Sequence, residues 1–290
     1  MRLPEERLER LLERLDDLAR RAERLLPPAG ETDWSALAFR WRRPGWLQPV
    51  RHPHGIHLRD LRHIDRQKQA LVRNTEKFLR GAPANHALLW GARGTGKSSL
   101  VKALLQDYAM EGLRLIEVDK HDLADLPDIT EPLHARPERF ILFSDDLSFD
   151  ASEPGYKALK AALDGSVAAL PDNVLIYATS NRRHLMPEFH SENRETRVHD
   201  GELHFGESVE EKISLSERFG LWLAFHPFNQ KQYLDTVAWW FERLQIRVDD
   251  PEDMVRAALR FALQRGSRSG RVARQFVNHW ASEPLHPDDD

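Results

Sequence analysis

Residues 91 to 98 read Gly91-Ala92-Arg93-Gly94-Thr95-Gly96-Lys97-Ser98, and this octet restricts what the rest of the chain can fold into. Three glycines in so short a stretch let the backbone curl until successive N–H groups point inward, a shape that cradles phosphate oxygens. The apolar run Ala87–Trp90 precedes the octet, and a helical pattern from Lys97 to Met110 follows it. A strand that feeds a glycine loop and then a helix gathers the loop amides and the positive end of the helix dipole at one point. The octet matches G-x-x-x-x-G-K-[ST] at every required position. Lys97 is therefore expected to reach the β- and γ-phosphates of ATP and Ser98 to ligate Mg2+, with Ser99 continuing the cradle. A loop of this kind commits the chain to an α/β fold.

The flanking sequence keeps the same rhythm. Helical patterns run from about Arg62 to Leu79 and from about Tyr156 to Leu170. Apolar runs at Leu113–Val118, Arg139–Ser144, Val174–Thr179 and Trp222–Phe225 alternate with them. Unbroken apolar strands alternating with helices indicate a parallel sheet covered on both faces. Residues 190–212 are polar and acid-rich without periodicity, which reads as a surface insertion. From residue 229 to 283 only helical patterns remain, ahead of an acidic tail. The expected layout is an N-terminal part over 1–60, an αβα nucleotide-binding core over 61–227, and a helical lid with the tail over 228–290.

The N-terminal part has two pieces. Residues 3–26 place Leu8, Leu11, Leu15, Leu18, Ala22 and Leu25 at helical spacing, with Arg and Glu on the other faces. Residues 34–59 contain no acidic side chain before Arg59, but hold five arginines and Trp34, Phe39, Trp41 and Trp46. The favoured reading is an arm whose tryptophans dock on the main body while its arginines stay solvated or pair with carboxylates. The alternative is weak binding of a nucleic acid or protein partner, with basic and aromatic residues tracking a strand. His52, His54 and His57 lack the neighbouring carboxylates or cysteines that a metal site calls for.

Composition removes several function classes. With 42 basic and 46 acidic side chains the net charge is −4, so a basic coat over the whole protein is excluded while a local patch is not. No cysteine is present, which removes thiolate metal sites and cysteine nucleophiles and suits a reducing cytoplasm. No apolar run approaches the roughly 20 residues of a membrane span, and the Arg/Glu-rich start does not resemble a signal peptide.

A phosphate cradle alone does not hydrolyse a nucleotide. Phe140-Ile-Leu-Phe-Ser-Asp145-Asp146 delivers carboxylates at a strand's C-terminal end, where ligands collect in parallel sheets. Asp145 is expected to hold Mg2+ and Asp146 to orient the attacking water. Asn181 closes the strand Val174–Thr179, in position to hydrogen-bond a γ-phosphate or that water. Arg218 precedes the final strand, and Arg271 opens the last helix; both are candidates to neutralise transferring phosphate charge.

This ordered set resembles the AAA+ ATPases over about residues 61–283. Trp90-Gly-Ala-Arg-Gly-Thr-Gly-Lys-Ser, Asp145-Asp-Leu-Ser-Phe149, Ala178-Thr-Ser-Asn-Arg-Arg183 and Arg218-Phe-Gly-Leu-Trp222 are most similar to a bacterial AAA+ family known only as a domain of unknown function, and the likeness reaches Pro49-Val-Arg-His-Pro-His54. The resemblance implies a five-stranded parallel core with a small helical lid. It also implies Asn181 as sensor 1, Arg271 as sensor 2, and Arg218 as an arginine finger acting on a neighbour's nucleotide, hence a homo-oligomer. Asp145-Asp146 stands where Asp-Glu is frequent, and the shorter side chain leaves two expectations open, slow turnover or a catalytic base elsewhere. The expected activity is Mg2+-dependent ATP hydrolysis coupled to conformational change; an ATP-gated binding module and a P-loop kinase are the alternatives.

Overall fold

A computed structural model describes residues 14, 32–43, 45–149, 153–164, 170–182, 185, 197–199, 202–204 and 215–282. The helix expected over 3–26, the acidic tail and most of the 190–212 stretch lie outside the described residues, apart from the short antiparallel pair Arg197–His199 and Glu202–His204.

The main sheet grows from the alternating apolar runs. In chain order its strands are β1 (Ala38–Arg42), β2 (Trp46–Pro49), β3 (Ala87–Gly91), β4 (Leu113–Glu117), β5 (Arg139–Ser144) and β6 (Val174–Ser180). The short pair supplies β7 and β8, outside this sheet, and the last strand is β9 (Leu221–Phe225). The order across the sheet is β2-β1-β4-β5-β6-β3-β9, with every pair parallel except β1–β2. Along β5, Phe140 and Leu142 face one apolar layer while Ile141 and Phe143 face the other, so the strand is buried on both sides and reads as a continuous apolar run.

The expected five-stranded core is present as β4-β5-β6-β3-β9, but the sheet has seven strands, so the strand count is corrected. The additional two come from the arm. In Ala38-Phe39-Arg40-Trp41-Arg42, Phe39 and Trp41 point into one core layer while Arg40 and Arg42 stay exposed, the period-two pattern of a half-buried strand. Trp41 Nε1 donates to Asp125 Oδ2 at 3.0 Å. Three of the arm's five arginines also find partners. Arg40 pairs with Glu117 at 2.7 Å, Arg42 donates to Gln48 at 3.0 Å, and Arg43 meets Asp122 at 3.0 Å and Asp125 at 3.2 Å. The arm is thus docked as its tryptophans suggested.

Helices cover both faces. α1 (Asp65–Leu79) and α2 (Lys97–Tyr108) bring Leu71, Phe78, Leu100 and Leu104 onto one face. The short α3 (Leu126–Thr130) and α4 (Pro154–Asp164) bring Ile129, Tyr156 and Leu159 onto the other. The remaining helices, α5 (Gln230–Arg243), α6 (Pro251–Gln264) and α7 (Gly270–Ser282), bury Tyr233, Val237, Phe241, Ala258, Phe276 and Val277 in a separate apolar cluster. Asn229 and Gln232 form a reciprocal cap that starts α5, and Asp250 caps α6 ahead of Pro251. This is the lid.

Candidate nucleotide site

The glycine loop takes its shape from three left-handed positions that β-carbons would disfavour: Gly91 at φ 127°, Gly94 at 77° and Gly96 at 104°. At Gly91 the reason is also steric. A Cβ there would lie 2.0 Å from the carbonyl oxygen of Phe225, the residue that closes β9 and accepts a bond from the Ala92 N–H at 3.0 Å. The end of β9 thereby holds the loop's first turn, and Gly96 hands the chain to α2.

Lys97, the first residue of α2, is 6% exposed. Its Nζ donates to the carbonyls of Gly91 and Ala92 at 2.8 Å each and to Asn181 Oδ1 at 3.2 Å. Burial holds its pKa below the ordinary lysine value; Asp145 and Asp146 oppose that shift, while Arg271 and Arg93 add to it. Ser98 Oγ donates to Asp145 Oδ1 at 2.6 Å. A hydroxyl and a carboxylate side by side fit Mg2+, a hard cation that binds through few protein oxygens and completes its shell with water and phosphate. Of the three arm histidines, His57 places its Nδ1 2.6 Å from Asp107 Oδ1.

Asp146 has a left-handed backbone, φ 55°, at the end of β5. Its carboxylate meets the Asn181 amide, and Arg93 stands 3.9 Å away, which supplies the partner for that loop arginine. Thr179 ties the pair of aspartates together. Its Oγ1 donates to Asp145 Oδ1 at 2.5 Å and accepts from the Asp146 N–H at 2.8 Å. Nothing in the sequence marked this threonine beyond its place near the end of β6.

The lid closes on the loop through its backbone. The Arg271 N–H donates to the Gly94 carbonyl at 3.2 Å, and Ser269 Oγ accepts from Val272 N–H at 3.3 Å at the start of α7. A Cβ on Gly94 would come within 2.7 Å of Ser269 Oγ and 3.0 Å of Arg271 Cβ, so this glycine is needed for the approach as well as for its φ.

Between core and lid lies a cleft of about 720 Å³, within the usual size range of small-molecule sites. Residues Arg93 to Ser99, Asp145, Asp146, Asn181 and Arg271 line it; Gly91 and Ala92, expected in the same cradle, do not, and their carbonyls accept from Lys97 instead. Arg218 does not; it lies at the end of α4, ion-paired to Asp164. Residues that the sequence reading passed over complete the walls. Ile56, Leu61 and Ile64 form an apolar side next to Asp60 and Arg62, and Trp240 and Arg274 face them from the lid, the guanidinium 3.9 Å over the indole ring. Arg274 follows Arg271 by three residues on one helix, a spacing that places both on one face. The apolar wall carried no such signal, because it is assembled from the end of the arm and the segment that leads from it into α1.

Comparison with known proteins agrees with this architecture. The profile of a family described as "Protein of unknown function (DUF815)" matches residues 34–284. The large subunit of replication factor C from Sulfolobus acidocaldarius is 36% identical over 75 residues, which is 26% of this chain and only 17% of that protein. Among solved structures, the Aeropyrum pernix Orc1 protein in complex with DNA superposes with a TM-score of 0.53 at 17% identity, covering 78% of this chain and 62% of that one. The FIGL-1 AAA domain in complex with ADP gives 0.50 at 19%, covering 80% and 75%. Caenorhabditis elegans PCH-2 gives 0.51 at 16%, covering 79% and 65%. At these identities the likeness establishes the fold. Among the described residues no helix is long and apolar enough to cross a membrane.

Proposed function

Because the chain belongs to the DUF815 family and has the AAA+ fold, we propose that it is a Mg2+-dependent ATP hydrolase that converts nucleotide state into movement of its lid. The observation that carries this reading is the convergence in one cleft of Lys97, the Ser98–Asp145 pair, the Asp146–Asn181 pair and, from the lid, Arg271. The loop amides and the N-terminus of α2 would receive the phosphates. Lys97 exchanges the carbonyls of Gly91 and Ala92 for the β- and γ-phosphates. Ser98 and Asp145 would hold Mg2+, which when bound neutralises charge on the phosphate oxygens. Asp146, oriented by Asn181, accepts a hydrogen bond from the attacking water, and Arg271 senses the γ-phosphate from the lid. The apolar wall at Ile56, Leu61 and Ile64 suits the flat face of a base.

Arg218 lies outside its own cleft, which supports an action on the nucleotide of a neighbouring subunit and therefore a homo-oligomeric working form. In this reading the unit is a 61–227 core with a 228–290 lid, at work in the cytoplasm, and its partner is held through surfaces outside the cleft. One observation favours a second reading, an ATP-gated binding module with negligible turnover: Arg93 and Asn181 both engage the Asp146 carboxylate. Phosphate release from ATP distinguishes the two. Turnover by the wild type that disappears in Asp146→Asn while ATP affinity persists supports the hydrolase; ATP binding with no phosphate release in either protein supports the module; and transfer to an acceptor without phosphate release would support a P-loop kinase.

A further inference from the structure

Helix α1 carries an exposed stripe that the ATPase reading does not use. Arg66, Gln69, Arg73 and Lys77 within the helix, and Arg80 at its C-cap, are all exposed. At 3.6 residues per turn they fall within an arc of about 80°, and from Arg66 to Arg80 they span about 21 Å along the axis. Four of the five are cations, in a chain whose net charge is −4. Arg66, Arg73 and Lys77 have no hydrogen-bonding or ion-pair partner among the described residues, and Arg80 has only a long contact of 3.8 Å to Glu76. In the arm that looked most basic in the sequence, three of the five arginines, Arg40, Arg42 and Arg43, are already paired, so it presents fewer free cations than α1.

We propose that this face of α1 binds the backbone of duplex nucleic acid without reading its sequence. The chemistry of the stripe selects among anionic partners. A protein partner requires a buried aromatic or aliphatic anchor, and this face exposes none. A single strand is held largely by stacking on aromatic rings, which the stripe also lacks. A membrane surface would call for an apolar flank to insert beside the charges, whereas Ala70 and Val72 pack against the core layer beneath. A straight row of cations, three of them guanidinium groups able to grip phosphate oxygens in pairs, suits the evenly spaced charges of a phosphodiester backbone. The stripe starts two residues beyond Ile64, which lines the nucleotide cleft, so a bound duplex would lie against the element that leads into that wall. The inference goes beyond the ATPase reading and does not depend on it.

The test is fluorescence anisotropy of the full-length protein with a labelled duplex of arbitrary sequence, between 50 and 200 mM salt. Four phosphate contacts predict a slope of log K against log salt of about −3.6. Replacing Arg73 and Lys77 together with glutamine should reduce that slope by about 2 and weaken binding at low salt roughly tenfold or more. Arg43→Gln, at a paired guanidinium, should leave both unchanged, and a second duplex sequence should bind equally well. The proposal is overturned if the wild type does not bind duplex at 50 mM salt, if the double variant binds as the wild type does, or if single strands or anionic vesicles bind more tightly than duplex.

Discussion

Replacing Thr179 by valine tests the link between the fold of β6 and the chemistry of the cleft. The side chain is 1% exposed, and valine has nearly its shape, so no cavity is created. What disappears is the hydroxyl that donates to Asp145 at 2.5 Å and accepts from the Asp146 N–H at 2.8 Å. A hydrogen bond to a charged group contributes about 1.5–3 kcal/mol, and a stranded donor costs about 1–3 kcal/mol. Asp145 keeps its bond from Ser98, and both aspartates border an open cleft where water recovers part of the loss. The expected destabilisation is therefore near the lower end, about 2 kcal/mol, which a fold of ordinary stability survives. Function should suffer more specifically. With one of its two hydroxyl partners gone, Asp145 is less well placed for Mg2+, so the Mg2+ concentration for half-maximal turnover should rise. Asp146, whose left-handed backbone has lost its hydroxyl tether, should turn over saturating ATP at least about tenfold more slowly, the equivalent of about 1.4 kcal/mol. Urea unfolding without nucleotide measures the first effect, and steady-state phosphate release across a Mg2+ titration measures the others. Thr179→Ser, which retains the hydroxyl, should restore all three. Valine and serine variants with the same Mg2+ midpoint and the same maximal rate would refute the reasoning, whatever their stabilities.

Three further expectations follow from the same geometry. Lys97→Ala should abolish ATP binding measured by calorimetry while circular dichroism stays unchanged, and Asp145→Ala should remove only the Mg2+-dependent part of the affinity. Arg218→Ala should lose hydrolysis but keep ATP, an arginine finger contributing about 10³–10⁵ in rate, and mixing it with Lys97→Ala should recover activity; a mixture that stays inactive, with wild-type specific activity independent of dilution, rules out action between subunits. His86 accepts the Ile176 N–H on Nδ1 at 3.0 Å, and burial pushes its pKa down from 6.5 to about 4. The unfolded chain then binds the extra proton first, so stability from this group is complete above about pH 6.5 and is lost as pH falls toward 4; the loss is at most about 3 kcal/mol because the ring is partly exposed, and a urea midpoint that is flat between pH 7 and 4.5 would contradict it.

The parts of the molecule legible in the sequence are those whose constraints are local. The octet at 91–98 announces itself because its glycines, lysine and serine act within one turn of chain. β5 and β6 are legible because burial on both faces keeps their central residues, Phe140–Phe143 and Val174–Ala178, free of charged side chains. β1 escaped because its evidence is long-range. Its period-two pattern covers five residues, and the carboxylate that settles Arg40 lies 77 positions away in Glu117. Thr179 was invisible for the same reason, its partner Asp145 being 34 positions upstream on the neighbouring strand. The basic face of α1 was overlooked because Arg66, Arg73, Lys77 and Arg80 are spread through a segment whose apolar periodicity drew attention to its other side, whereas residues 34–59 crowd their arginines together.

The arm's place in the sheet bears on how the protein can be divided. β1 lies beside β4 in parallel register, Ala38 opposite Leu115 and Arg40 opposite Glu117, and the exposed margin beyond it is the four-residue β2 ending in Pro49. A short margin that ends in proline is a poor template for further strands. A chain shortened to begin at residue 61, the apparent start of the nucleotide-binding core, would leave Leu115 and Ile116 on a bare parallel edge and uncover the layer that Phe39 and Trp41 close. Such a fragment should self-associate through that edge even with its nucleotide cleft intact, so preparations meant for enzymology are better started ahead of residue 34.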